Sequence, residues 1–404
     1  MLEFVWTAAS YVVPFLLVLT VVVTIHELGH FLAARLCGVE VDRFSIGFGR
    51  ALAKWTDRKG VEWRLGWLPL GGYVRFAEDE TVTSVPDREA LETLRQEIRQ
   101  REGAGAERKY FHFKPVWQRA VIVAAGPAAN FVLSIALFAT LLAAVGEPVV
   151  RPRVGAVEAG SPAAAAGFRA GDLIVRAQGE AVDNFLEIQQ LVVVRAGAPI
   201  DFVVRREAGL VNLTATPRRC EREAMGRMQR VGCLGLAADM SAGAISRRRP
   251  DLPTAVVGGV ERTWSVLATT VYYLGRVVQG REPADQLSGP LGIANVTKQA
   301  TDVGAEAGGD LQTKSTNIAI MLLGLTAVLS VGIGFMNLLP VPVLDGGHLV
   351  FYAYEAAARR PVGPGVQAAS YRVGLALLLG LMVFATWNDL QQLRVFNFLG
   401  GLFS

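Results

Sequence analysis

The stretch VVVTIHELGHFLAARL, from Val21 to Leu36, places two histidines and a glutamate inside a run of residues that is otherwise apolar. Ionisable side chains at membrane depth are costly, so we interpret these three as functional. His26, Glu27 and His30 fit the pattern H-E-x-x-H. Residues four apart share one face of a helix, so both imidazoles can bind one Zn²⁺ while Glu27 acts on a water bound to the metal. The stretch therefore predicts a membrane helix that carries a zinc site.

The whole chain has the composition of a membrane protein with water-soluble parts. Of its 404 residues, 51% are hydrophobic and 19% are charged. A transmembrane helix needs roughly 20 apolar residues, and we expect about four such helices. The charge-free runs are Val5–Ile25, Val121–Val145, Ile318–Leu344 and the shorter Val373–Asn388.

The orientation of the first run follows from its basic flanks. No basic residue precedes it, whereas several follow closely, which predicts a cytoplasmic loop after it and an outer N-terminus. Those basic residues are Arg35, Arg43, Arg50, Lys54, Arg58 and Lys59. Alternation then places residues 146–317 and the C-terminus outside. We assign the net charge of +4 to this loop bias and to attraction by the lipid bilayer, and expect no nucleic acid partner.

A candidate third metal ligand comes late in the chain, in NLLPVPVLDGGHLV, where Asp345 ends the third apolar run. The first and third runs cross in the same direction, so their C-terminal ends meet at the cytoplasmic side. Pro340 and Pro342 cannot continue a regular helix, and they break the third run just before the aspartate. Such broken backbone is tolerated at membrane depth only where it faces protein or a water-filled cavity. Asp345 is therefore expected close to His26 and His30.

Three motifs in this order resemble the site-2 protease family of intramembrane zinc metalloproteases, in its bacterial RseP-type branch. They are HELGH (His26–His30), GPAANF (Gly126–Phe131) and NLLPVPVLDGGH (Asn337–His348). An insert between the second and third apolar runs is similar to a single PDZ domain. The resemblance implies a multi-pass protease of the bacterial inner membrane, with periplasmic termini, a periplasmic PDZ-like domain and an active site near the cytoplasmic side.

The resemblance also implies roles for individual residues. His26, His30 and Asp345 would bind one Zn²⁺ per chain, and Glu27 would be the general base that assists attack of zinc-bound water on a peptide bond. Asn130 and Asn337 match residues associated with substrate handling; the alternative for both is a hydrogen bond between helices. The implied substrates are transmembrane segments of single-pass membrane proteins, for example an anti-sigma factor or remnant signal peptides.

The predicted fold class is a membrane α-helical protein with a cytoplasmic re-entrant β-element and an inserted α+β PDZ-like domain. The predicted segments are the first transmembrane helix with HExxH (1–36), the cytoplasmic loop with re-entrant β-strands (37–118), the second transmembrane helix (119–146), the PDZ-like domain (150–239), a periplasmic amphipathic helix and linker (240–317), the third transmembrane segment with the LDG motif (318–345), a cytoplasmic loop (346–370), the fourth transmembrane helix (371–390) and a C-terminal tail (391–404).

Several expectations concern the regions around the site. GVEVDRFSIGFG and WRLGWLPLGGYVRF mix β-branched and aromatic residues with glycines, which predicts strands whose edge can hold an unwound substrate. The charged residues 78–107 predict a solvated helix, and 253–279 an amphipathic helix on the outer membrane surface. His112 is expected at an interface and His348 in a loop or beside the ligands. Cys220 and Cys233, on the oxidising side, can form a disulfide.

Two questions stay open at this level. The PDZ-like domain can act as a size gate that excludes bulky substrates or as a recruiter that binds peptides. The chain itself can also be a non-catalytic membrane metal carrier, or a PDZ scaffold with a structural metal. Glu27 distinguishes these from a protease, because a general base is needed for turnover but not for metal binding.

Overall fold

A computed structural model describes residues 2–77, 88–207, 209–224, 227–241, 245–280, 288–306 and 308–392. The helices are α1 (Leu2–Leu36), α2 (Arg88–Glu102), α3 (Val116–Val145), α4 (Pro162–Ala165), α5 (Phe185–Val194), α6 (Leu252–Val278), α7 (Pro290–Glu306), α8 (Leu311–Leu338), α9 (Asp345–Ala358) and α10 (Pro364–Gln392). The strands are β1 (Val41–Thr56), β2 (Glu62–Phe76), β3 (Glu147–Val150), β4 (Val154–Val157), β5 (Leu173–Ala177), β6 (Glu180–Ala181), β7 (Ile200–Arg206), β8 (Gly209–Ala215), β9 (Arg218–Ala224), β10 (Arg227–Cys233), β11 (Leu236–Ala238) and β12 (Ile245–Arg248).

The chain forms two compact units. One comprises the chain up to Leu141 and from Leu252 onward, and the other is Leu142–Asp251. Among the described residues, four helices are long and apolar enough to cross a membrane, which agrees with the number of predicted spans. These segments are Ala9–Leu36, Val116–Val145, Leu311–Leu338 and Pro364–Gln391.

In the first unit, α1 packs against β2, α7 and α8. The strands β1 and β2 form an antiparallel pair with several register shifts, so the predicted strands are present as one long hairpin. Aromatic side chains fix the hairpin to the C-terminal half of α1: the Phe31 ring lies 5.4 Å from the Phe44 ring and 5.3 Å from the Trp63 ring, centroid to centroid. This core holds the half of α1 that carries HELGH against β2. Where the hairpin lies relative to a membrane stays a prediction.

Helix α6 has one face of small residues that packs on α3. Ala255, Gly259 and Thr263 are buried, and the Thr263 hydroxyl shares a hydrogen bond of 3.1 Å with the hydroxyl of buried Ser134 on α3. Small residues allow two helix backbones to approach closely. The predicted amphipathic helix is thus present, and its predicted place on the outer membrane surface stays a prediction.

The region before and after the third apolar helix differs from the prediction. Helix α8 ends at Leu338, and Asp345 begins α9 instead of ending the third span. Helix α9 occupies much of the predicted cytoplasmic loop 346–370, because Leu349 and Tyr352 pack into the core around α1 and supply contacts that a local pattern does not reveal. Helix α7 lies within the predicted linker 240–317, and α10 begins at Pro364, before its predicted start.

The second unit combines helices with antiparallel strands, as an α+β fold does, and has its own core. A four-stranded sheet has the order β6-β5-β7-β8, and β3 pairs with β12 near the two ends of the unit. The core includes Ile174, Phe202 and Ile188 from the sheet and α5. This unit contains the predicted domain 150–239 and extends beyond it on both sides. Its likeness to a PDZ domain stays a prediction.

A disulfide and a buried ion pair strengthen the second unit. Cys220 of β9 and Cys233 of β10 are joined in a disulfide. The buried carboxylate of Asp172 accepts two hydrogen bonds from the Arg206 guanidinium, at 2.7 and 2.8 Å. Burial alone would raise the pKa of Asp172, but the guanidinium outweighs burial and lowers this pKa below its usual range. The ion pair therefore stabilises the unit at neutral pH and contributes less as the carboxyl becomes protonated in acid.

Several predicted segments lie partly outside the described residues, among them the charged stretch and the C-terminal tail. Of the charged stretch 78–107, residues 78–87 are not described, and α2 occupies most of the remainder. Of the predicted tail 391–404, residues 393–404 are not described.

Candidate metal centre

The H-E-x-x-H motif lies in one continuous stretch of α1, which brings its histidines together. His26 and His30 are one helical turn apart, and their Nε2 atoms approach to 3.2 Å. The two rings are nearly perpendicular, with an interplanar angle of 86°. Both Nε2 atoms therefore point at the same small volume.

Asp345 completes the cluster from the first turn of α9. Its Oδ2 atom lies 3.1 Å from His26 Nε2 and 3.4 Å from His30 Nε2. The chain reaches this position because it leaves α8 at Leu338 and re-enters a helix at Asp345, through a segment that contains Pro340 and Pro342. The structure thus brings together the three side chains that the sequence predicts as ligands.

The spacing of His26 Nε2, His30 Nε2 and Asp345 Oδ2 is suitable for binding one zinc ion. In a tetrahedral site with bonds of 2.0–2.1 Å, neighbouring ligand atoms are about 3.3 Å apart, which matches the three separations in this cluster. Asp345 Oδ2 is also buried without a hydrogen-bond donor among the described residues. A buried carboxylate oxygen normally has a partner, and a bound cation provides one. Among the described residues, this is the cluster able to hold a metal ion.

Helix α3 supports both histidines from the other side. The Nδ1 atom of His30 lies 2.9 Å from the backbone carbonyl oxygen of Ile122. The Nδ1 atom of His26 lies 3.3 Å from the side-chain amide of Asn130, which is fully buried. Each ring therefore has one nitrogen held by α3 and the other turned towards Asp345.

A cavity of about 220 Å³ opens beside the cluster, and Glu27 lines it together with the three ligands. Strand β2 forms one wall through Tyr73 and Val74. The Glu27 side chain thus lies next to the metal ligands in the same cavity without being one of the three clustered side chains. Such an arrangement suits a group that moves a proton.

Comparison with known proteins agrees with this chemistry. The sequence pattern of the family described as Peptidase family M50 matches residues 14–381. The chain belongs to this family. Metalloprotease MmpA of Caulobacter vibrioides is 51% identical over 394 residues, which cover 97% of this chain and 98% of that relative. A protein of Agrobacterium fabrum with a zinc metalloprotease name is 41% identical over 385 residues, which cover 95% of this chain and 96% of the relative.

As a member of family M50, the site-2 protease family, the chain is a zinc metalloprotease. The resemblance to site-2 proteases is confirmed at the level of the family. A further relative with a zinc metalloprotease name, from Mesorhizobium japonicum, is 44% identical over 386 residues, which cover 94% of this chain and 98% of that relative. Among the described residues, His26, His30 and Asp345 form the cluster able to hold this zinc ion, and we call them the zinc-binding set; their role as its ligands stays a prediction.

The remaining predicted site residues occupy different positions. Asn130 contacts His26, whereas Asn337 lies in the last turn of α8, half-buried, and is not among the described residues that line the cavity. Their roles in substrate handling stay predictions. His112 and His348 both line the cavity, and His348 lies 3.4 Å from the Tyr371 hydroxyl.

Two groups that support the zinc-binding set could not be predicted from the sequence. The carbonyl of Ile122 carries no side-chain signal, because every residue has a carbonyl group. Gly126 belongs to the GPAANF motif, but the motif alone does not show that this glycine leaves room for the histidine rings. A β-carbon at Gly126 would lie 2.3 Å from His30 Nε2 and 2.9 Å from His26 Cε1, so only glycine leaves room for both rings.

We expect Gly126→Ala to displace the histidines and reduce zinc binding at least 10-fold, since supporting contacts around metal ligands typically change affinity by about 10–100-fold. The measurement is a zinc titration of the purified full-length chain against a competing chelator. Ala128→Gly, two residues away on the same helix, controls for the helix propensity of this segment. If Gly126→Ala bound zinc as tightly as the parent, the imidazole rings of His26 and His30 would tolerate a β-carbon at this position.

Proposed function

We propose that this zinc metalloprotease is an intramembrane endopeptidase that hydrolyses transmembrane segments of single-pass membrane proteins. The observation that carries this proposal is that the two histidines of the zinc-binding set lie within the apolar helix α1. His26 lies 17 residues after Ala9 and 10 residues before Leu36, the two ends of the candidate span. At 1.5 Å per residue the site is about 15 Å from the nearer end of that span, deep enough for a membrane-embedded peptide bond.

The chemistry we propose uses the residues that surround the cavity. Zinc, when bound by His26, His30 and Asp345, acts as a Lewis acid and lowers the pKa of water. Glu27 accepts the proton of the attacking water and donates it to the nitrogen of the leaving amine. The cavity wall formed by β2 is an extended backbone beside Glu27, where an unwound substrate segment can add as a further strand. Unwinding is needed because a helix shields its own peptide bonds.

We further propose that the chain lies in the bacterial inner membrane with its termini and its second unit in the periplasm. The basic residues that follow α1 support a cytoplasmic position for the hairpin β1–β2. The two histidines of the zinc-binding set lie in the C-terminal part of α1, so the set would then be closer to the cytoplasmic side. Its partners would be single-pass substrates such as an anti-sigma factor, or remnant signal peptides, together with the lipid bilayer and without nucleic acid.

Co-expression with a library of tagged single-pass membrane proteins tests the substrate class. The native chain should shorten a subset of these proteins at sites inside their transmembrane segments, as mapped by mass spectrometry of the fragments. The Glu27→Gln chain serves as the control and should leave the same proteins intact. Cleavage only in water-exposed regions would contradict the intramembrane assignment. Metal transport without cleavage would instead support a membrane metal carrier. Zinc binding without cleavage and without transport would support a scaffold with a structural metal.

For the second unit, we propose that it acts as a gate that excludes substrates with bulky outer domains. Val150 of β3 pairs with Ile245 of β12, so a short Gly/Ser linker can replace residues 151–244 without stretching the chain. If the unit is a gate, this deletion should allow cleavage of substrates whose outer domain is intact, which the native chain leaves uncut. Time courses on intact and trimmed versions of one substrate measure the effect. Slower cleavage of the trimmed version after the deletion would instead identify a peptide-binding recruiter.

A further inference from the structure

We propose that Asn130 is a positioning residue for His26, and that one stripe of α3 sets the tautomers of both histidine ligands. The stripe consists of Ile122, Gly126 and Asn130. This inference rests on the zinc centre of the family and not on the proposed intramembrane substrate.

The stripe matches the spacing of the histidines. Ile122, Gly126 and Asn130 are four residues apart on α3, so they follow one another along one face, as His26 and His30 do on α1. The Ile122 carbonyl meets His30, the Asn130 amide meets His26, and Gly126 lies between them against both rings. The three positions therefore form a support with two hydrogen-bonding groups and a gap for the imidazoles.

For His30 the tautomer follows from its partner alone. A carbonyl oxygen can only accept a hydrogen bond, so the Nδ1 atom at 2.9 Å must carry the proton. In the neutral ring the Nε2 atom then has a free electron pair directed towards Asp345, as metal binding requires. The backbone of α3 thus prepares His30 as a ligand.

For His26 the amide of Asn130 offers two arrangements. If the amide nitrogen donates to Nδ1, the ring proton must be on Nε2, where it blocks metal binding, and Asn130 Oδ1 stays buried without a partner. If the amide is rotated by 180°, Oδ1 accepts the Nδ1 proton, the buried oxygen gains its partner, and Nε2 is free to bind metal. The second arrangement gives the buried Oδ1 its partner and leaves Nε2 of His26 free for the metal, so the zinc-bound state selects it.

Asn130 is itself held in place from a third helix. Its backbone carbonyl accepts a hydrogen bond of 2.8 Å from the hydroxyl of buried Ser330 on α8. A β-carbon at Gly334 would lie 3.2 Å from the Asn130 β-carbon, so α8 approaches closely at this level. The same helix leads to Asp345. Because Asn130 is fully buried and is not among the described residues lining the cavity, it acts on the metal through His26.

Zinc affinity of the full-length chain tests the proposal without any substrate. Three variants are stripped of metal and titrated with zinc against a chromophoric chelator: Asn130→Leu, Asn130→Asp and Ser134→Ala. We expect Asn130→Leu to weaken zinc binding by about 10–100-fold, the usual effect of losing a hydrogen bond to a ligand histidine. Asn130→Asp should bind zinc as tightly as the parent or more tightly, because a carboxylate can only accept. Ser134→Ala, which loses a buried hydroxyl one turn further along α3, should match the parent.

A second measurement uses the parent chain and so does not depend on variant folding. The chain has four histidines, and ¹⁵N-labelling them allows NMR to report which ring nitrogens carry protons in the zinc-loaded protein. The two ligand rings are those whose nitrogen signals shift most when zinc is added. We expect both ligands to be protonated at Nδ1. Protonation of either ligand at Nε2, parent-like zinc affinity in Asn130→Leu, or equal weakening in Asn130→Leu and Asn130→Asp would each overturn the proposal.

Discussion

Glu27→Gln is expected to abolish proteolysis while zinc stays bound and the protein stays folded. Glutamine keeps the size and shape of glutamate but cannot accept a proton from the attacking water, and loss of general-base help typically costs about 10²–10⁴-fold in rate. The carboxylate lines the cavity beside the metal ligands but does not belong to the three-atom cluster, so zinc content should not change. Time courses of substrate cleavage in detergent and in reconstituted bilayers measure the rate, with metal content determined on the same preparations.

The matched control for this variant is Glu92→Gln, which makes the same chemical change at an exposed position on α2. It should cleave and bind zinc as the parent does. Near-native cleavage by Glu27→Gln would exclude the general-base mechanism. Loss of zinc from Glu27→Gln, with zinc retained in the control, would make Glu27 part of the metal-binding set instead.

The sequence allows the chemistry of the centre to be predicted because that chemistry depends on periodicity and direction. His26 and His30 share a face at helical spacing, and the helix continues without interruption from the apolar run through the motif to Leu36. Asp345 could be placed near them because the first and third apolar runs cross in the same direction. Both arguments use only side-chain type, spacing and the length of a span.

Other parts of the centre depend on tertiary contacts that leave no local pattern. Helix α9 carries Asp345 at its start, and its place in the chain was predicted as a loop. Its formation depends on packing of Tyr352 against the core around α1, which lies more than 200 residues away in sequence. The role of the Ile122 carbonyl is equally invisible, because it comes from the path of α3 and not from a side chain.

The second large effect concerns the ligands themselves. Purified protein should hold about one zinc ion per chain and lose most of it on His26→Ala, His30→Ala or Asp345→Ala, since each substitution leaves two protein ligands in a site that needs three. The loss should be similar for the three variants, because the three ligand atoms are nearly equidistant, at 3.1–3.4 Å from one another. Elemental analysis of protein purified without added metal gives the zinc content.

Asp345 is the decisive position among the three, because the histidines come from one motif whereas the aspartate joins them from a distant helix. Glu355→Gln is its matched control: this carboxylate lies on the same helix α9, but it pairs with the Arg119 guanidinium at 2.7 Å and not with the histidines. If proximity of any charge on α9 were enough to retain zinc, both variants would lose metal. If Asp345 is a ligand, only its variant should do so, and full zinc content in Asp345→Ala would exclude it from the metal-binding set.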